Sequence, residues 1–330
     1  MATITRNERL ETDLSTRRFS DVRELLPDVD NPSPLVRLNH ILTERDLDIY
    51  LKLEWMNPFG SIKDRTAQYL IEGLRARGEL GEKELVEASS GNTAIALAAL
   101  ASLTGTRLTT AVPDGVPDEK KVILRMLGAE VWETPDDLCP VDNPRDGAIA
   151  LARALAASHE GKRYAATRQY ENLDNVEAHY RTTGPEIWRQ SEGSVSWFVA
   201  AYGTTGTVVG TGKFLKEQDP SIRVVGVEPE PGHRLPGMKS FQEASEPAIF
   251  DREIVDYSVV VTDEQAYDAT KALWRREALT VGPSTGAVVA ALNDLPTALG
   301  DVVVAISADS GVGYTSYFED ILGEEGRPQI

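Results

Sequence analysis

The chain carries one cysteine and four histidines in 330 residues. A single Cys139 excludes an internal disulfide and any multi-cysteine metal site, as suits a reducing compartment. Its neighbours Asp136, Asp137 and Pro140 disfavour a thiolate, which argues against a nucleophilic thiol. His40, His159, His179 and His233 show no metal-ligand spacing such as H-E-x-x-H, so no metal site is expected and each reads as a surface or capping residue. No Ser-His-Asp set can be assembled from them. Long apolar runs are missing too: the longest, over 94–103, falls short of the roughly 20 residues a membrane span needs. The first eight residues, Met1 to Glu8, include charges and no apolar stretch of a signal peptide. Positive charge is scarce, with 34 Lys and Arg against 52 Asp and Glu and a net charge of -18, which argues against nucleic acid and anionic membranes as partners. These absences predict a soluble, cytoplasmic protein acting on a small molecule.

What is present is an ordinary globular composition, 41% hydrophobic and 26% charged, long enough for one large or two closely packed domains. Strand-like apolar runs alternate with helical periodicity. Strands are predicted over 49–54, 84–88, 107–112, 196–201, 223–228 and 302–306. Helices are predicted after residue 63, over 93–103, 119–127, from the 202–212 loop to 217, and over 263–277 and 285–292. The stretch 138–145 reads as a loop from its prolines and aspartates. Such alternation predicts an α/β protein with two domains, each a largely parallel sheet covered by helices on both faces.

Four segments carry chemistry. Asn57-Pro58-Phe59-Gly60-Ser61-Ile62-Lys63-Asp64-Arg65 places a lysine in a turn leading into a helix that Ser61 can cap. The positive end of a helix disfavours an ammonium, and a desolvated lysine there becomes a nucleophile fit for a Schiff base with pyridoxal phosphate. Taken alone, a solvated surface lysine explains Lys63 as well. Glu87-Ala88-Ser89-Ser90-Gly91-Asn92-Thr93-Ala94 offers hydroxyls and unpaired helix N–H groups to a carboxylate, with Asn92 also suited to a phenolic oxygen. Tyr202-Gly203-Thr204-Thr205-Gly206-Thr207-Val208-Val209-Gly210 has glycine spacing that fits neither a dinucleotide fingerprint nor a nucleotide-triphosphate loop, and suits a lone phosphate monoester. Ile306-Ser307-Ala308-Asp309-Ser310-Gly311 ends the last strand; Ser310 could face a pyridine nitrogen, and Asp309 beside it would instead keep that nitrogen protonated. Each of the last three also reads as a plain turn.

In this order the segments resemble the cysteine synthase and cystathionine β-synthase family of fold-type II pyridoxal-phosphate enzymes, over nearly the whole chain from Ser33 to about Tyr317. Gln169-Tyr170-Glu171-Asn172 and Thr182-Thr183-Gly184-Pro185-Glu186-Ile187-Trp188 are similar to further family segments. The resemblance implies a tryptophan synthase β-like fold: a smaller domain over 48–168, a larger one over 18–47 plus 169–330, and an extension over 1–17. It implies that Lys63 holds pyridoxal 5'-phosphate and acts as general base. Asn92 would contact the cofactor hydroxyl, Gly203, Thr204, Thr205, Gly206 and Thr207 its phosphate, and Ser310 its ring nitrogen. Ser89, Ser90, Asn92, Thr93 and Gln169 would hold the substrate carboxylate. The implied reaction is β-replacement on an O-activated L-serine through an α-aminoacrylate, giving L-cysteine or another β-substituted alanine. A homodimer and a sulfur-carrier protein as partner are implied by the same resemblance.

The chain departs from the family pattern where Ser89 replaces Thr and Ala94 replaces Gly, whose added methyl is expected to alter the pocket. Arg234 and Lys239 stand where phosphoserine-using members place a basic residue, which leans the substrate towards O-phospho-L-serine over O-acetyl-L-serine, with ordinary surface charge as the competing explanation. Ser-Ile-Lys and Ser-Gly-Asn-Thr differ from the Ser-Phe-Lys and Ser-Gly-Asn-His of serine/threonine dehydratases. A cystathionine β-synthase-type enzyme and a synthase of a diaminopropionate precursor are the alternatives. A NAD-binding dehydrogenase would explain the α/β pattern but neither Lys63 nor the glycine spacing.

Overall fold

In the computed structural model, residues 17–45, 47–89, 91–135 and 147–322 are described. The expected extension (save Arg17), Ser90, Cys139 and the 138–145 loop lie outside them. Among the described residues ten strands form two sheets. They are β1 (Leu35–Arg37), β2 (Asp48–Leu53), β3 (Glu84–Ala88), β4 (Leu108–Pro113), β5 (Glu130–Thr134), β6 (Tyr164–Ala166), β7 (Trp197–Ala201), β8 (Arg223–Pro229), β9 (Tyr257–Val261) and β10 (Val302–Ser307). The larger sheet has the order β1-β2-β10-β7-β8-β9, parallel except for the antiparallel β1–β2 pair. The smaller, β5-β4-β3-β6, is parallel throughout. Strand β2 pairs with β10 in the larger sheet (Ile49 beside Val303), so the boundary between the sheets falls after β2 rather than before residue 48.

The helices are α1 (Lys63–Ala76), α2 (Asn92–Thr104), α3 (Asp118–Met126), α4 (Ala148–Ala157), α5 (Asp174–Ala178), α6 (Gly184–Gln190), α7 (Gly206–Gln218), α8 (Asp263–Arg276), α9 (Pro283–Ala291) and α10 (Thr315–Leu322). A π-helical turn, His179–Thr183, joins α5 to α6. Both sheets are covered on both faces because their strands are apolar at successive positions. Val303 and Val304 are each fully buried, and their side chains enter separate clusters, one with Leu51, Val225 and Val288, the other with Phe198, Val208 and Val224. The smaller sheet divides in the same way, Leu85 packing with Leu97 and Leu108, and Val86 with Ala111 and Tyr164. Loops at the carboxyl ends of parallel strands then converge where such sheets place ligands.

A buried ionic cluster ties the start of α1 to this frame. Arg65 donates Nε and Nη2 to Glu54 (2.7 and 2.8 Å) and both Nη atoms to Glu186. Lys52 Nζ donates to Glu186 (2.6 Å), Gln190 (2.7 Å) and the Ser33 carbonyl (2.7 Å). All four charged side chains are fully buried, two cations balancing two anions. Arg65 answers two carboxylates, so its removal strands both. Arg65→Met is therefore expected to cost about 3–5 kcal/mol, read as a lower urea midpoint at unchanged slope; a loss below about 1 kcal/mol would contradict it.

Candidate active site

Lys63 is the first residue of α1, as its turn predicts. The turn is stitched to the end of β10: Ile62 N–H donates to the Ala308 carbonyl (2.8 Å), and Ser61 forms an antiparallel bridge with Asp309. Ser61 Oγ accepts from Lys63 N–H (3.1 Å), meeting one of the helix's unpaired donors. Asp64 Oδ2 accepts from Phe59 N–H (2.6 Å) and closes the turn from the other side; burial pushes its carboxyl up to about 8. Lys63 keeps some surface exposure, but protein surrounds its ammonium. That burial holds its pKa below the usual lysine value, more strongly than Asp309 and Glu54 raise it.

A cavity of about 50 Å³ is lined by Lys63, Gly203, Thr204, Thr205 and Thr207, with Ala308 and Ser284 beside them. Thr205 adopts φ +68° ahead of α7, so the loop turns sharply into a 13-residue helix whose first N–H groups have no intrahelical acceptor. Gly206 leaves room for Asn175: a Cβ there would lie 2.3 Å from Asn175 Oδ1. Asn175 Nδ2 donates to Thr204 Oγ1 (2.9 Å), and its Oδ1 accepts from Thr66 of α1 (3.1 Å). His179 repeats this bridge, with Nε2 facing Thr66 (3.3 Å) and Thr207 (3.2 Å) and Nδ1 facing Thr183 (2.9 Å). Two buried side chains thus register the lysine helix against the glycine-threonine loop. His179 is fully buried, contrary to the expectation of a surface or capping residue, because the helical segment carrying it packs between α1 and α7.

The second predicted group also comes together. Ser89 Oγ accepts from Gly91 and Ala94 N–H (3.1 and 3.2 Å), and Thr93 donates to Gln169 Oε1 (2.7 Å). Gln169 Nε2 donates to the Ala88 carbonyl (2.8 Å) and to Glu87 (3.3 Å), whose carboxyl burial raises to about 7. The Ala94 methyl, expected to alter the pocket, packs in the apolar cluster with Ala67, Ile71 and Leu97 instead. Asn92 donates Nδ2 to Asp309 (2.6 Å) and accepts from Lys120 Nζ (3.0 Å).

Three expected residues sit elsewhere. Ser310 spends its hydroxyl locally, donating to the Thr280 carbonyl (3.2 Å) and accepting from Val312 N–H (3.2 Å), and it does not line the Lys63 cavity. Ser284, near the start of α9, does line it; a hydroxyl between two glycines in Gly282-Pro283-Ser284-Thr285-Gly286, after an apolar residue, was its only sequence mark. Arg234 is exposed, its backbone held by Asp263 (2.8 Å) and Tyr267 (2.6 Å), away from that cavity. Lys239 is buried with Nζ 4.7 Å from the Tyr170 ring centre, and lines a separate cavity of about 470 Å³ with Glu87, Ala88 and Arg168.

A family model described as "Pyridoxal-phosphate dependent enzyme" matches residues 27–309. Cysteine synthase B of Salmonella typhimurium is 39% identical over 295 residues, 89% of this chain and 94% of that protein. A cysteine synthase of Aquifex aeolicus is 37% identical over 314 residues, 92% of this chain and 94% of that one. Among solved structures, O-ureido-L-serine synthase superposes with a TM-score of 0.84 at 29% identity, covering 94% of this chain and 98% of its own. A hydrogen sulfide-producing enzyme from Fusobacterium nucleatum gives 0.79 at 32% identity, covering 89% and 99%.

Burial, with Lys63 and Arg65 nearby, lowers the His179 pKa from 6.5 to about 3. The unfolded chain then takes up a proton more readily than the folded one between those values, so this histidine's contribution is full above pH 6.5 and is lost as pH falls towards 3. The stability advantage of wild type over His179→Gln is expected to shrink between pH 7 and pH 4, measured by urea unfolding; a constant difference would contradict a buried neutral imidazole.

Proposed function

Because the chain belongs to the pyridoxal-phosphate dependent enzyme family, we propose that it replaces the β-substituent of an O-activated L-serine to give L-cysteine. O-phospho-L-serine is placed ahead of O-acetyl-L-serine as substrate. The observation that carries the reading is the shared cavity of a desolvated lysine amine and a glycine-threonine loop at a helix N-terminus. That donor set suits pyridoxal phosphate: an amine for its aldehyde, and N–H groups and hydroxyls for its phosphate. Bound there, the cofactor supplies an electron sink for charge developing at the substrate α-carbon.

The chain's own residues do the rest. Gly203, Thr204, Thr205, Gly206 and Thr207 hold the phosphate. Ser284 meets the ring nitrogen in place of Ser310, a choice supported by its position in the cavity wall and by the local bonds of Ser310. Asn92 meets the ring hydroxyl. Ser89, Ser90, Thr93 and Gln169 hold the substrate carboxylate, a role supported for three of them by the hydrogen-bonded group they form at one strand end. Lys63 Nζ takes the α-proton as general base; its depressed pKa keeps a share of it neutral, as a base needs. Lys239 meets a phosphate leaving group, a role supported by its burial beside Tyr170, the neighbour of Gln169. Arg234, exposed, is withdrawn from that role. The structural match to O-ureido-L-serine synthase supports a second reading, in which the product is another β-substituted alanine.

Lys63→Ala is expected to abolish the visible absorbance of bound cofactor while leaving the far-ultraviolet circular dichroism unchanged; a variant that stays coloured would refute the lysine assignment. Substrate choice is read by stopped-flow with phosphoserine, acetylserine and serine in turn. Phosphoserine should react fastest, Lys239→Met should slow it roughly ten- to a hundredfold and spare acetylserine, and Arg234→Met should change neither. Acetylserine reacting fastest, with Lys239→Met silent, would overturn the phosphoserine preference.

A further inference from the structure

Lys120 is a further buried lysine beside the site, and nothing in the chemistry above uses it. It lies on α3, on the smaller-sheet side, with only 4% of its surface exposed. Its stem crosses the backbone of Gly91, at φ +125°, where an added Cβ would lie 2.7 Å from Lys120 Cδ. Its ammonium donates to Asn92 Oδ1 (3.0 Å) and sits 3.8 Å from the ring centre of Tyr314, which follows β10 on the larger-sheet side. A cation this close to an aromatic face and shielded from water is held firmly. Tyr314 in turn donates its hydroxyl to Asp309 Oδ2, the atom that also accepts from Asn92 Nδ2 (2.6 Å). Asp309 Oδ1 is buried with no hydrogen-bond partner among the described residues, so that carboxylate depends on Asn92 and Tyr314. Both ends of the Asn92 amide are therefore gripped, one from each side of the cleft. The seam continues where Ser316 donates to Glu119 (3.2 Å) and Tyr317 to the Gly115 carbonyl (3.1 Å).

We propose that Lys120 is a positioning residue: with Tyr314 and Asp309 it forms a latch across the cleft that aims Asn92 and has to release before a cofactor ring can enter. The ring's role for Asn92 rests on the function proposed above; the latch does not. The Lys63 cavity, about 50 Å³, is lined from the larger-sheet side by residues such as Lys63, Thr205, Ser284 and Ala308. A pyridine ring beside Lys63 needs more space than that, and in the proposed latch the contacts that cross between the two sheets are the ones that yield it. Lys120 couples that opening to Asn92 because one ammonium touches both.

The test uses the full chain, with and without its cofactor, and two conservative variants. Lys120→Met keeps the stem and removes the ammonium; Tyr314→Phe keeps the ring and removes the hydroxyl. Hydrogen exchange should quicken in Lys120→Met on both α3 and α10, roughly tenfold, with α7 unchanged, and Tyr314→Phe should show a smaller effect on the same two helices. Pyridoxal phosphate added to stripped protein should associate faster with Lys120→Met than with wild type, and leave faster. A merely structural lysine would not speed entry. Faster exchange confined to α3, or unchanged or slower cofactor association, would overturn the latch. If wild type took up no cofactor but both helices still loosened together, the function proposed above would fail and the latch would stand.

Discussion

The site depends on keeping one ammonium group out of water. Lys63 heads a helix whose next three residues are all buried and polar, and each is anchored in a different direction. Asp64 closes the preceding turn, Arg65 enters the ionic cluster with Glu54 and Glu186, and Thr66 meets Asn175 and His179. A helix start fixed at three successive positions cannot rotate to deliver its lysine to solvent. The cost of burying so many polar groups is offset only because nearly all find partners, which the fold supplies from Glu54 just after β2, from α5 and the π-helical turn, and from α6.

The same anchors set a distance. Asn175 and His179 each touch α1 on one side and the 203–207 loop on the other, so the lysine and that glycine-threonine loop are registered by side chains from a third element. The 89–93 loop is held differently, by Glu87 and Gln169 across the ends of β3 and β6. One half of the candidate site is therefore built on the larger sheet and the other on the smaller, and the two halves meet. Asn92, on α2 but bonded to Asp309 beyond β10, is the residue where they do.

Much of this was legible in the sequence, for physical reasons. Apolar runs such as 84–88 and 302–306 mark strands buried on both faces, and the glycine, serine and threonine clusters after them mark the loops at their ends. The edge strands were not legible: β5 and β9 are largely exposed, Glu130-Val131-Trp132-Glu133-Thr134 has no continuous apolar run, and the three valines of β9 are too short a run to mark a strand by themselves. Neither was His179, since nothing local tells a buried imidazole from an exposed one; its packing between α1 and α7 is a tertiary fact. Ser310 looked suitable because it follows a strand, but it caps a 3₁₀ turn at Gly311–Tyr314. Gly-Pro-Ser-Thr-Gly carries no local mark of a ligand contact at Ser284, and only the fold brings that segment to the cavity. Arg234 and Lys239 were indistinguishable by type; burial separates them.

The claim on which the rest stands is that burial, and not a strong ion pair, governs Lys63. It is tested most directly by a carbon-13 NMR titration of lysine-labelled, cofactor-stripped protein, with the Lys63 signal assigned through Lys63→Gln. Lys63 should lose its proton below the usual lysine value of 10.5. A Lys63 signal that titrates at or above that value would contradict the account.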